Sequence, residues 1–232
     1  MKDRRDAGSE RLMSRPVRRG ATRRIEIPTP RGIAWADLDR PSGKPVGLLM
    51  LGHGAGGGVE AADLLATRRA AIEAEWMVAR VTQPYRVAGR RTPPAGPVLD
   101  EAWLPVATKV RSGRGLGVLP VVFGGRSSGA RVACRTATAG HAAGVLALAF
   151  PLHPPGRPER SRLDELSEPT VPVLVVQGDR DPFGLPPAAG GRRIVVVPGD
   201  HSLRGAAEPI RLAVAAFLTM LVRENRGRAA TE

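Results

Sequence analysis

The stretch VVFGGRSSGARVA, residues 121–133, decides how the rest of the chain is read. A β-branched and aromatic run ends in two glycines, followed by Arg126, two serines, a third glycine and a segment of small residues able to form a helix. Residues 125–129 match G-x-S-x-G in the context that motif needs, with a strand before it and a helix after. A sharp strand-to-helix turn forces the serine into unfavourable backbone angles while neighbouring chain passes close by. Gly125 and Gly129 remove side chains that would clash there. On this reading Ser127 is displayed above a sheet. The amide of Ser128 sits at a helix N-terminus, where N–H groups point at developing negative charge. The competing reading is an ordinary Gly/Ser loop; the strand–helix setting favours the exposed serine.

Outward from this point the pattern alternates. Residues 24–27 and 33–38 read as two strands joined by a Pro/Gly turn, an opening hairpin. Residues 46–51 form a continuous apolar run, followed by a glycine loop and a helical segment over 60–75. Residues 76–81 read as a strand and 84–97 as a Pro/Arg/Gly loop. A helix over 99–110 contains Pro105, which can kink it. Then come a strand at 118–123, a helix at 128–139, strands at 145–150, 171–176 and 194–197, and a closing helix from Glu208-Pro209. Apolar strands alternating with helices predict an α/β fold of three layers, with a mostly parallel sheet buried on both faces. Ligands of such sheets sit beyond the carboxyl ends of the strands, so the residues just past each strand are the informative ones.

Four strand ends carry polar or glycine-rich sequence: GHGAGGG after 46–51, GGRSSG after 118–123, QGDRDPFG after 171–176 and PGDHSL after 194–197. Serine, aspartate and histidine therefore appear in the chain order of an α/β-hydrolase triad. Serine is a weak nucleophile until an oriented base activates it. His201, in the loop between the last strand and the closing helix, is the best-placed base. His53 lies in the glycine loop, His141 at a helix end and His153 in FPLHPP. The orienting acid is Asp181 or Asp179: glycine followed three residues later by aspartate fits Gly178 and Asp181, while Asp179 lies nearer the strand. Asp200 reads as a loop-stabilising acid. The glycine loop around Gly54 lets a backbone N–H, that of Ala55, face the Ser128 amide as the second half of an oxyanion hole. One such donor is worth about 3 kcal/mol in a transition state.

Gly52, Gly54 and Gly57 also match G-x-G-x-x-G. A dinucleotide site would need an acid about 20 residues on, and the next strand ends in MVARVT, so that reading fails. No cofactor and no metal are expected. Cys134, the lone cysteine, excludes a disulfide framework and CxxC sites.

The 232 residues carry a formal charge of +13, and all the basic residues except Lys2, Lys44 and Lys109 are arginines. They are scattered and lack interleaved aromatics, so an arginine-rich composition with a basic tail explains them better than a nucleic-acid surface. Residues 1–22 are expected to be a disordered basic tail, with Met13 an alternative start, and residues 23–225 a single domain. No apolar run is long enough to span a bilayer and the N-terminus lacks the core of a secretory signal, which makes a cytoplasmic protein the default.

With these residues in place the chain resembles the α/β-hydrolase superfamily. It looks most like the small, dienelactone-hydrolase-sized branch that includes a testis-expressed protein and a hydrolase-like subunit of a histone acetyltransferase complex. The resemblance rests on GHGAGGG, FGGRSSGAR, FPLHPPG, QGDRDPFG and DHS. It implies an α/β-hydrolase fold, Ser127 as nucleophile, Asp181 as acid, His201 as base, and hydrolysis of an ester or related acyl bond of a small molecule. Arg126 departs from the small or aromatic residue common before the nucleophile in better-studied esterases. It either brings charge to the pocket mouth or folds away to solvent. His53, His153, Arg86 and Arg126 are the candidate substrate contacts, and Arg86, Arg90 and Arg91 form a basic loop suited to a carboxylate or phosphate. The short segment 153–169 leaves little or no lid. The competing function is a non-catalytic module that binds an acidic partner through its arginines.

Overall fold

The apolar runs become strands that are buried almost throughout, and their order follows from how each one is connected. A computed structural model describes residues 22–229. The basic tail at 1–22 thus lies outside the described residues, apart from Thr22. The opening hairpin is β1 (Arg23–Thr29) and β2 (Gly32–Asp39), paired antiparallel. Next come β3 (Gly47–Gly52), α1 (Ala62–Glu73), β4 (Trp76–Thr82), the one-turn α2 (Pro84–Val87) and α3 (Gly96–Arg111). The chain continues through β5 (Val121–Arg126), α4 (Ser128–Thr136), β6 (Gly144–Leu148), α5 (Leu163–Ser167), β7 (Val173–Gly178), β8 (Arg192–Val197) and α6 (Ala207–Ala229).

The strands make one eight-stranded sheet in the order β1-β2-β4-β3-β5-β6-β7-β8. β2 pairs antiparallel with β4, and every pair from β4 to β8 is parallel. Every residue of β3, β6 and β7 is buried, as their apolar sequences, interrupted only by Gln177 in β7, require of strands covered on both faces. One face packs Trp103, Val106, Phe123 and Val132, which brings α3 and α4 onto it. The other packs Leu64, Ile210, Val214 and Leu218, which brings α1 and α6. These are the three expected layers.

Several boundaries move, each for a local reason. The strand expected at 118–123 begins at Val121. Val118 is 88% exposed, and Pro120, which has no N–H to give a ladder, offers only its carbonyl to Leu48 N–H at 3.0 Å. The strand expected at 145–150 stops at Leu148 because Ala149 turns to φ 45°. The loop expected at 84–97 holds α2, started by Pro84, and α3 starts at Gly96-Pro97, prolines favoured in a first helical turn. α5 lies in the short segment 153–169, where no helix was expected. Among the described residues no helix is long and apolar enough to cross a membrane.

Candidate active site

The register of the sheet puts two chain ends side by side. Gly52, the last residue of β3, pairs with Gly125 of β5, so the glycine loop and the serine turn leave the sheet together. Ser127 follows β5 at φ 53° and ψ −110°, a region costly for any residue with a Cβ, and caps α4. Its N–H donates to Leu148 O at 2.9 Å, which locks the turn against β6. Both glycines of the motif are required by close approach. A Cβ on Gly125 would lie 2.6 Å from Gly52 O, and one on Gly129 2.4 Å from the same oxygen.

The serine hydroxyl meets an imidazole that arrives from 74 residues away. Ser127 Oγ is 2.9 Å from His201 Nε2. On the other side of the ring, His201 Nδ1 is 2.8 Å from Asp181 Oδ2. The Asp181 carboxylate is fully buried and the His201 side chain 19% exposed, so the carboxylate is shielded while the imidazole reaches the surface. The remaining partners of Asp181 fix its orientation: Phe183 N–H donates to Oδ1 at 2.9 Å, and Gln177 Nε2 donates to Oδ2 at 2.8 Å. Asp179, the other candidate acid, accepts the Gly199 N–H at 2.8 Å instead. Asp200 accepts from the Ser202 amide and hydroxyl within its own loop. Cys134 is buried, and that burial pushes its thiol up to about 12, so it offers no thiolate.

The glycine loop is set by His53. The backbone N–H of Gln83 donates to His53 Nε2 at 3.1 Å, which leaves the proton on Nδ1, and Nδ1–H donates to Gly54 O at 2.8 Å. Burial also holds His53 below its ordinary pKa, in keeping with a neutral ring. In a planar trans peptide the C=O and the following N–H point opposite ways. With Gly54 C=O turned to His53, the Ala55 N–H faces the other side. The next carbonyl, Ala55 O, accepts the Tyr85 hydroxyl at 2.9 Å. The Ser128 amide stands at the N-terminus of α4.

The arrangement places each candidate substrate contact, and it corrects the reading of His53. His53 is 3% exposed with both ring nitrogens engaged by backbone, so it orients the loop and does not face a substrate. His153 Nδ1 is 2.9 Å from Pro154 O and its ring packs over Gly184, which makes it part of the wall. Arg126 does not fold away to solvent: its side chain is 18% exposed, with Nε 2.9 Å from Asp63 Oδ2. Arg86 stays on its loop, partly exposed, with Nη1 3.4 Å from Arg90 O.

Residues without a motif of their own also build the site. Gln177 spreads its amide over Asp181 Oδ2, Phe150 O and Gly184 O; its sign in the sequence is a polar residue at the end of an otherwise apolar run. The Phe183 ring lies 4.1 Å from that of His201, tilted by 34°. Tyr85 and Asp63 carry no such sign and emerge only from their contacts.

A sequence profile described as an alpha/beta hydrolase domain matches residues 45–205. No curated protein sequence matches the chain. Among solved structures, a serine hydrolase without a lid from Xanthomonas campestris superposes with a TM-score of 0.68 at 20% identity, covering 88% of this chain and 94% of that one. Est1E from Butyrivibrio proteoclasticus, solved with ferulic acid bound, gives 0.70 at 18%, covering 86% and 99%. A hyperthermophilic esterase from the archaeon Pyrobaculum calidifontis gives 0.59 at 19%, covering 88% and 85%.

Proposed function

The chain belongs to the alpha/beta hydrolase family, and on that premise we propose that it is a serine hydrolase cleaving an ester or related acyl bond of a small substrate. The observation that carries this reading is the unbroken line from Ser127 Oγ through His201 to Asp181, at 2.9 and 2.8 Å. Ser127 Oγ attacks the acyl carbon as His201 Nε2 takes its proton, and the carbonyl oxygen becomes an oxyanion. Asp181 holds the imidazolium by its Nδ1–H. The amides of Ala55 and Ser128 receive the oxyanion. Collapse expels the alcohol, which leaves with the proton from His201. Water then enters, His201 takes its proton, and the acyl group departs as the free acid with Ser127 restored.

Support for an ester comes from the esterase and the serine hydrolase among the structural neighbours, and from ferulic acid bound to one of them. The absence of a lid in one neighbour goes with the short span between β6 and β7 here, and an open site suits a small or flexible acyl group. The ordered motifs GHGAGGG, FGGRSSGAR, FPLHPPG, QGDRDPFG and DHS keep the chain, on our reading, in the small dienelactone-hydrolase-sized branch. A non-catalytic module would leave the aligned hydroxyl and imidazole without a purpose.

Fluorophosphonate labelling and hydrolysis of p-nitrophenyl acetate test the proposal. Native protein should label at Ser127, and Ser127→Ala should lose labelling and at least about 10⁴-fold in kcat/KM. Labelling of the native protein no faster than Ser127→Ala would overturn it.

A further inference from the structure

Arg126 immediately precedes the reactive serine, yet its side chain reaches parts of the molecule that the serine chemistry does not involve. Its guanidinium faces three elements. Nε lies 2.9 Å from Asp63 Oδ2, in the first turn of α1. Nη2 donates to the backbone carbonyl of His201 at 3.0 Å, 75 residues along the chain. Nη1 lies over the glycine loop, where a Cβ on Gly54 would be 3.4 Å from it.

Asp63 is as unusual as its partner. Its side chain is 1% exposed. Oδ1 accepts the N–H of Leu64 at 2.9 Å, while Oδ2 has no aligned hydrogen bond and meets Arg126 by charge alone. Burial pushes this carboxyl up, and the Arg126 guanidinium offsets only part of that rise. A carboxylate so enclosed is costly without compensation, and Arg126 supplies it. The arginine is therefore clamped at its Nε edge, which aims Nη2 at the loop carrying His201.

We propose that Arg126, clamped by Asp63, is a positioning residue that straps the backbone of His201 to the strand presenting Ser127. The inference rests on the triad read above and adds what keeps its two halves in line. Asp181 orients the imidazole from the ring side; Arg126 anchors the same residue from the main-chain side. Proton transfer from Ser127 and back to a leaving group needs Nε2 held close to Oγ through both directions. Without the strap the loop after β8 can drift, and the 2.9 Å contact lengthens. The fork geometry of the guanidinium matters here, since its Nε and Nη2 meet Asp63 and the His201 carbonyl in fixed directions that a flexible ammonium does not impose.

Arg126→Lys is the decisive variant, assayed with p-nitrophenyl acetate and by the rate of fluorophosphonate labelling. Lysine still compensates Asp63, so the melting temperature should stay near that of the native protein. Its kcat and labelling rate should fall about 10- to 100-fold with KM little changed, as expected of a small misplacement of a catalytic group. Should Arg126→Ala fold, added guanidinium ion should restore part of its labelling rate, which a merely structural arginine would not allow. Asp63→Asn, of the same shape, should slow labelling in the same direction, and combining it with Arg126→Lys should cost less than the sum of the two. A folded Arg126→Lys with native kcat and labelling would overturn the strap while leaving the triad standing. Native protein without Ser127-dependent labelling would instead remove the triad, and the strap with it.

Discussion

Ser127 is held at φ 53° and ψ −110° by Leu148 O behind it and by α4 in front, angles that a side chain normally avoids. Such strain costs on the order of 1–3 kcal/mol and persists because the surroundings over-determine it. Glycine tolerates this region, whereas alanine suffers as serine does. Ser127→Gly should therefore be about 1 kcal/mol more stable than Ser127→Ala, both being inactive. Denaturant unfolding of the two variants measures it, and equal midpoints would show that the turn is unstrained. The same scale explains the cooperation of His53 and Gln177. Each is a buried polar side chain that fixes a neighbouring backbone or carboxylate.

Among the helices, α4 carries the turn of Ser127 at its start and depends on ion pairs for its seating. Arg131 and Arg135 of α4 both reach Glu165 of α5, at 2.5 and 2.7 Å, and Arg135 also pairs with Asp100 of α3 at 2.7 Å. Burial pushes the Glu165 carboxyl up, but Arg131 and Arg135 outweigh it and hold it below its ordinary 4.5. A group whose pKa is lowered by folding stabilises above its unfolded value and loses that contribution as pH falls through the folded one. Glu165→Gln should thus cost about 1–3 kcal/mol at neutral pH, by leaving two arginines short of a partner. The thermal stabilities of variant and native protein should converge as pH drops below 4.5. A constant gap across that range would contradict the assignment.

On the scale of the molecule, the sheet separates the apolar layers from the candidate site. The side chains of the proposed triad stand beyond the carboxyl ends of β5, β7 and β8, whereas the two apolar layers lie on the faces. Leu218 of α6 is fully buried in the layer shared with α1. Leu218→Ala should cost about 2–5 kcal/mol through lost transfer and an unfilled cavity. Its kcat on p-nitrophenyl acetate, measured well below the melting temperature, should match that of the native protein. A large fall in kcat would mean that the layer beneath the sheet also sets the site.

Hydrophobic patterning and glycine placement were enough to read the parallel sheet, the hairpin before it, and the turn that presents Ser127, because these are local properties: burial on both faces demands unbroken apolar runs, and a tight turn demands missing side chains. The boundaries that moved did so at Pro120 and Ala149, where a missing donor or a single left-handed residue outweighs the hydrophobic run around it. The order of the strand ends named Ser127, Asp181 and His201 as a set, but the other contacts between distant segments were beyond that reach. That Asp181 and not Asp179 faces His201, that His53 serves the glycine loop, and that Arg126 crosses to Asp63 and the His201 carbonyl depend on loop paths set by the assembled sheet. Sequence constrains the direction of a strand end; only packing chooses which side chain of a loop turns inward, since that choice is a balance of desolvation and partners brought from elsewhere in the chain.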